Sequence, residues 1–144
     1  MNGSDLERFV QAQAPVLGSV ERELAAGRKS GHWIWFIFPQ IEGLGSSTAS
    51  RHYAIHDLAE ARNYLAHPTL GNRLRKHVRL LLRHVGRTAE DILGDIDALK
   101  FRSCLTLFLE ASGSETDKTL FLDALDAFYG GYPDERTTTL LRAR

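Results

Sequence analysis

Residues 30–47 hold the feature that most restricts the fold of this chain, a run of aromatic and apolar side chains that ends in proline. The run begins at His32, contains both tryptophans and stops at Pro39. A large aromatic side chain buries about 150–250 Å² and dominates the core that it enters. We therefore predict a short aromatic core segment at 32–39. Its apolar character is too uniform to show a period, so the sequence allows either a buried strand or a buried helical turn there.

Helical spacing dominates the rest of the chain. The segment 70–85 carries apolar residues at intervals of four, three and four, which is the pattern of one buried helix face. These residues are Leu74, Val78, Leu81 and Val85. A later helix, which begins near Asp95 or Asp97, has Leu99 and Cys104 on its expected apolar side.

The connections between these patterns are short, and we find no internal repeat, low-complexity tract or linker. Residues 1–144 are therefore expected to form a single helical domain. The predicted fold class is all-α, with about six or seven helices and the aromatic core segment at 32–39.

Composition restricts the environment and the partners. The formal net charge is zero, which gives no general attraction to nucleic acid or to an anionic membrane. No apolar run approaches the roughly 20 residues that span a bilayer, and the first thirty residues lack a signal-peptide pattern. Cys104 is the single cysteine, so an internal disulfide and a cysteine-based zinc site are excluded. A cytoplasmic protein is the simplest interpretation, and its oligomeric state is not given by the sequence.

The region 29–53 is the candidate ligand site. Broad aromatic rings can stack a planar ligand, while hydroxyls and glycine-flanked amides can bind phosphate or ribose. The candidate ligand-binding residues are Lys29, His32, Trp33, Trp35, Gln40, Ser46, Ser47 and Arg51. One alternative is that the aromatic residues form only the hydrophobic core. A second, mixed alternative places some of them in the core and Trp33 or Trp35 at a cleft.

Candidates for catalysis are few, and the sequence leaves open whether the protein is an enzyme. His32 could act as an acid–base near neutrality, although a histidine at a helix start is commonly a structural hydrogen-bonding group. Lys100 and Ser103 lie three residues apart, so a lysine could activate a serine hydroxyl. The same lysine could equally form a helix-supporting ion pair with Asp97. No metal-ligand spacing and no cofactor motif is present, so we predict no metal and no cofactor.

The strongest local charge lies on the helix at 73–87, which carries six basic and no acidic residues. A basic helix can bind RNA or an acidic partner, which would make the protein a non-catalytic adaptor. The structural alternative is a solvated face, or packing against an acidic neighbour such as the helix at 117–126. A purely structural helical domain is the third possibility.

Motifs spread over nearly the whole chain resemble those of domain-of-unknown-function 1810, a family of uncharacterised bacterial proteins. The motifs that carry this resemblance are Gly27-Arg28-Lys29-Ser30, His32-Trp33-x-Trp35-Phe36-Ile37-Phe38-Pro39-Gln40, Tyr64-Leu65-x-His67-Pro68 and Phe128-Tyr129-Gly130-Gly131. The resemblance implies a mainly helical single domain and no assigned activity.

The aromatic-proline-glycine segment is also loosely similar to NADAR domains, small helical proteins linked with ADP-ribose derivatives. That similarity implies a nucleotide-like or ADP-ribose-like ligand in the 29–53 region. The site would either bind such a ligand or process it, for example by hydrolysis of an N-glycosidic bond.

Overall fold

A computed structural model describes the chain from residue 5 to residue 143. Over this range the chain forms ten α-helices and a 3₁₀ turn at Ala14–Val16, with no β-structure beyond isolated bridges. The helices are α1 (Glu7–Gln13), α2 (Leu17–Ala26), α3 (Ile34–Ile37), α4 (Thr48–His52), α5 (Leu58–Ala66), α6 (Leu70–Leu82), α7 (Ala89–Leu93), α8 (Asp95–Ala111), α9 (Glu115–Tyr129) and α10 (Glu135–Arg142).

The all-α fold class is confirmed, and the difference in helix number has a simple cause. Seven of the described helices have seven residues or more, which matches the predicted six or seven. The other three, α3, α4 and α7, have only four or five residues. Single turns of this length are too short to show a hydrophobic period. Of the three, α7 is predicted by its Thr88-x-x-Asp91 capping pattern and α3 is one of the two alternatives for its segment, while α4 is not predicted.

Helix α8 is the central element, because it packs against α3, α5, α7, α9 and α10. Burial on nearly every side leaves its Cys104 in the core, and that burial raises the pKa of the thiol well above its usual range. Cys104 therefore lies on the apolar side of its helix, as predicted, where a buried thiol has little reactivity. The placement of Leu99 on the apolar side of this helix was wrong, since Leu99 is 64% exposed.

The aromatic segment is a single helical turn, α3, so the helical alternative is correct for 34–37. Phe38 follows it and packs on Phe101 of α8 with ring centroids 4.7 Å apart. Beyond Pro39 the backbone is held by an isolated bridge between Ile41 and Ile55. The N–H of Ile55 donates to the Gln40 carbonyl at 2.8 Å, and this bond fixes the chain beside the site described below.

The buried members of 32–39 confirm the predicted aromatic core segment. Trp33, Ile34, Ile37 and Phe38 are all buried, while Trp35 is only partly covered. None of the helices in the described part of the chain has the length and apolar character required to cross a bilayer.

Candidate functional site

A cleft of about 280 Å³ lies between the segment 40–50, the first half of α8 and the start of α10. We refer to it as the α8 cleft. Its apolar wall consists of Leu44, Ile96 and Leu99. Its polar lining consists of Gln40, Ser50, Lys100, Ser103, Asp134 and Arg136, and Gly45 completes it.

Two cationic side chains line this cleft. The Lys100 ammonium lies 5.3 Å from the centroid of the Trp35 ring and 3.6 Å from an Asp97 carboxylate oxygen. Arg136 is exposed, and the described part of the chain offers it no ion-pair partner. Asp134 is the one acidic residue of the lining, so the lining as a whole carries one excess positive charge. Such a cleft favours an anion.

The apolar wall of the α8 cleft is largely exposed to solvent. Ile96 is 70% exposed and Leu99 is 64% exposed, and both line the cleft. Exposed aliphatic side chains beside polar groups are typical of a surface that covers the apolar part of a ligand. The α8 cleft therefore combines an apolar wall with a cationic wall.

A chain of hydroxyl groups connects the cleft to α10. The Ser103 hydroxyl lies 2.8 Å from the Thr137 hydroxyl, and the Thr137 hydroxyl donates to Asp134 Oδ2 at 2.6 Å. Asp134 Oδ2 also accepts the Thr137 backbone N–H at 2.9 Å, which caps α10. The N–H of Asp134 in turn donates to Thr106 Oγ1 of α8 at 2.8 Å. These bonds fix the start of α10 against the floor of the cleft.

Lys29, a predicted ligand-binding residue, lies in an ion pair outside this cleft. Its ammonium is 2.7 Å from Asp97 Oδ2 and 4.8 Å from the centroid of the Trp33 ring. The Lys29 side chain is only 8% exposed. This residue therefore fastens the loop after α2 to α8 and has little surface left for a ligand.

Trp33 also lies inside the fold, because it is 2% exposed and its indole N–H donates to Glu23 at 3.0 Å. The same carboxylate oxygen accepts the backbone N–H groups of Ser30 and Gly31. Burial acts to raise the pKa of Glu23, but these hydrogen bonds and the nearby Lys29 charge outweigh it and lower the pKa. The group around Glu23 holds the loop 28–33 in shape.

His32 lines a second, more open cleft of about 420 Å³ together with Lys29 and Asp97. We refer to it as the second cleft. Ile96 lines both clefts, so they lie on either side of this one side chain. His32 is exposed and lines only this cleft, whereas Lys100 and Ser103, the other candidates for catalysis, line the α8 cleft.

The Gly-x-Gly-Ser-Ser stretch forms a turn that supports α4. Gly43 has a φ of 106°, which favours glycine, and a Cβ on Gly45 would lie 2.6 Å from Ser50. Ser47 caps α4, because its hydroxyl accepts the Ser50 N–H at 3.1 Å. The neighbouring Ser46 is exposed and does not line either cleft.

The predicted site at 29–53 is thus divided by the structure. Gln40 lies in the α8 cleft, while Trp35 lies next to it through its contact with Lys100. Arg51 is exposed and, like Ser47, belongs to neither cleft.

Lys100 and Ser103 both line the α8 cleft, but the predicted lysine–serine pair is not formed. Within residues 5–143 the described contacts of the Lys100 ammonium are with Asp97 and Trp35, and the Ser103 hydroxyl contacts Thr137. The predicted alternative for Lys100, an ion pair with Asp97, is the arrangement observed. Across the same range no group of three or more His, Cys, Asp or Glu residues could hold a metal ion.

Sequence reasoning missed seven residues of the α8 cleft. They are Leu44, Gly45, Ser50, Ile96, Leu99, Asp134 and Arg136. A signal existed for Ile96, because it lies four residues before Lys100, a predicted site residue, and is apolar next to two aspartates. No local pattern connects Asp134 and Arg136 to residue 40, since only the tertiary fold brings those segments together.

Part of the basic helix is engaged in contacts within the fold. Arg75 of α6 forms two hydrogen bonds to the Asp117 carboxylate of α9, at 2.7 and 2.9 Å. These bonds lower the pKa of Asp117 against the opposing effect of burial, and they raise the pKa of Arg75. Lys76 pairs with Glu21 at 3.1 Å. Packing against an acidic neighbour, the structural alternative for this helix, is therefore confirmed, while Arg79 and Arg83 are exposed.

Comparison with known proteins gives a family and a structural relative. The family model described as "Protein of unknown function (DUF1810)" matches residues 3–141. Among solved structures, the chain is similar to the conserved hypothetical protein Rv1873 from Mycobacterium tuberculosis, with 48% sequence identity and a TM-score of 0.92. The match covers 98% of this chain and 99% of that chain. A comparison with curated proteins gives no match.

Proposed function

The chain belongs to the DUF1810 family, and from that premise we propose that it binds a small phosphate-bearing molecule, of mononucleotide size, in the α8 cleft. One observation carries the proposal. Two cationic side chains, Lys100 and Arg136, and two exposed apolar side chains, Ile96 and Leu99, line one cleft. The two cations would bind a phosphate group, and the two apolar side chains would cover a nucleobase.

The chemistry of the cations supports an anionic ligand. A guanidinium can bind a phosphate through two parallel hydrogen bonds, while an ammonium acts as a compact charge. The ammonium of Lys100 is 3.6 Å from Asp97, a loose contact that leaves donor protons for a ligand. The negative charge of Asp134 reduces the attraction of the cleft for an anion. Its Oδ2 already accepts two hydrogen bonds from Thr137, which partly offset that charge.

The size of the cleft favours a mononucleotide over a larger dinucleotide. Ligand pockets commonly measure about 300–1,000 Å³, and the α8 cleft, at about 280 Å³, lies just below that range. An ADP-ribose-like ligand would have to extend past Ile96 into the second cleft, which is lined by Lys29 and His32. Mononucleotides are therefore the first ligands to test.

Isothermal titration calorimetry with AMP, ADP-ribose, NAD and inorganic phosphate tests the proposal. We expect AMP to bind, and we expect Lys100→Met and Arg136→Met each to weaken binding by about tenfold. Raising the salt concentration should weaken the binding of AMP to the unmodified protein, because the contact between the phosphate and the cations is electrostatic and accessible to solvent.

Arg79→Met is the matched control, since Arg79 is exposed on α6 and does not line the α8 cleft. It should leave the affinity for AMP unchanged. The proposal is wrong if none of these compounds binds at millimolar concentration, or if Arg79→Met weakens binding as much as Lys100→Met.

A further inference from the structure

We infer that the ligand of the α8 cleft carries a hydroxyl group close to its phosphate, and that this hydroxyl donates a hydrogen bond to Ser103. The inference rests on the proposed function and narrows the ligand class. A ribonucleotide or another hydroxylated sugar phosphate satisfies it, whereas the analogue that lacks the hydroxyl does not.

The direction of the hydrogen bonds beside the cleft is fixed by the number of available protons. Asp134 is an acceptor only, so the single hydroxyl proton of Thr137 goes to Asp134 Oδ2 at 2.6 Å. Ser103 lies 2.8 Å from that same Thr137 hydroxyl, and one of the two must donate. Because the Thr137 proton is already used, Ser103 is the donor.

Ser103 therefore has no proton left for a ligand. A serine hydroxyl has one proton and two acceptor lone pairs, and one further group can approach its oxygen only as a donor. Ser103 lines the cleft although it is 2% exposed. Because Ser103 is already almost out of contact with water, a ligand that supplies a donor gains a hydrogen bond to its oxygen that a ligand without one does not gain.

The positive charges near Ser103 determine which kind of hydrogen-bond donor a ligand can place there. Lys100 lies three residues before Ser103 on α8, so the two side chains project from adjacent positions of the helix surface. Arg136 adds a second positive charge to the same lining. An ammonium donor would be repelled there, whereas a neutral hydroxyl next to a phosphate fits both the charge and the spacing.

Calorimetry on the unmodified protein with AMP, 2′-deoxy-AMP, 3′-deoxy-AMP and inorganic phosphate tests this inference. We expect at least one deoxy analogue to bind about three- to tenfold more weakly than AMP, which corresponds to one neutral hydrogen bond. Equal affinities for AMP and both analogues would overturn the inference and leave the proposed function intact. Absence of binding by every compound would overturn both.

Two variants separate hydrogen bonding from a structural effect. Ser103→Ala should abolish the preference for AMP, so that the ratio of the dissociation constants falls to about one. Thr137→Val, which alters the same hydroxyl chain but keeps the Ser103 oxygen, should retain the preference, because the ligand hydroxyl can still donate to that oxygen. A merely structural role for Ser103 would weaken AMP and the deoxy analogues by the same factor, and that result would contradict the inference even if one variant failed to fold.

Discussion

The ammonium of Lys29 and the carboxylate of Asp97 lie 2.7 Å apart and join the loop after α2 to the first turn of α8. Both side chains are largely buried, and Asp97 Oδ1 is also 3.6 Å from Lys100. Lys29→Met should therefore lower the free energy of unfolding by about 3 kcal/mol, because it leaves a buried carboxylate with a weaker partner.

Urea unfolding measures this loss, and Arg51→Met is the control, since Arg51 is exposed and should change stability by less than about 0.5 kcal/mol. The affinity for AMP should be the same in Lys29→Met as in the unmodified protein. A stable Lys29→Met variant with weakened ligand binding would mean that Lys29 is part of the site.

Gly45 determines how closely the turn at 43–47 approaches α4. A Cβ at this position would lie 2.6 Å from both Cβ and Oγ of Ser50, a distance that real Cβ atoms do not adopt. Gly45→Ala should lower the free energy of unfolding by about 2 kcal/mol, as overpacking does elsewhere, and should weaken ligand binding.

Ser50→Gly removes the atoms that the new methyl group would meet. We expect the double variant Gly45→Ala, Ser50→Gly to be more stable than the sum of the two single changes predicts. Thermal unfolding of the unmodified protein, the two single variants and the double variant measures the coupling energy between the two positions. Strictly additive changes in stability would show that Gly45 and Ser50 do not determine how closely the turn approaches α4.

His77 makes the stability of the fold dependent on pH. It is a buried residue of α6, and neither ring nitrogen has a hydrogen bond to another described residue, although Nε2 is 3.5 Å from Glu21 of α2. Burial lowers the pKa of His77 to about 4 from its ordinary 6.5, and the Glu21 carboxylate opposes this shift only in part. The unfolded chain therefore takes up the proton at a higher pH than the folded chain.

Because the unfolded state binds more protons between pH 6.5 and pH 4, stability falls as the pH is lowered through that window. The expected slope is about 1.4 kcal/mol per pH unit from this group. Urea unfolding at several pH values should show the slope in the unmodified protein, and His77→Gln should remove it. Parallel curves for the two proteins would contradict the prediction.

Arg75 holds α6 to α9 through geometry that lysine cannot reproduce. Its Nε and Nη2 atoms bind the two oxygens of Asp117, and Nη2 also donates to the Leu65 carbonyl at 3.1 Å. Arg75→Lys keeps the charge but loses the paired contact, so we expect a loss of about 2 kcal/mol in the free energy of unfolding.

Arg79→Lys, on the same helix but exposed, is the matched control and should be neutral. Equal effects of the two substitutions in chemical denaturation would mean that charge, and not the paired geometry, stabilises this contact.

The parts of the fold that the sequence predicts are those with a long, regular pattern. The apolar stripe from Leu74 to Val78 and Leu81 predicts α6, and these residues are buried. The aromatic segment predicts a core that contains Phe38, which is buried. Val85, which continues the same stripe, is exposed, because α6 ends at Leu82.

The candidate site was less predictable, and the reason is physical. Aromatic residues such as Trp33 have the same appearance in a sequence whether they line a ligand site or fill a core, and here Trp33 is buried and donates a hydrogen bond to Glu23. Gln40 is brought near Arg136 by α8, which no local pattern specifies. Contacts between segments almost a hundred residues apart depend on tertiary packing, so a single sequence does not reveal them.

Helix α10 packs chiefly against α8, and it supplies Thr137 and Arg136 to the cleft and its hydroxyl chain. A peripheral helix of eight residues is an element that can open while the rest of a protein stays folded. Opening of α10 would break the Ser103–Thr137 contact and remove one wall of the cleft. Occupancy of the cleft and local unfolding of α10 are therefore competing equilibria, and amide hydrogen exchange in this helix would report on both.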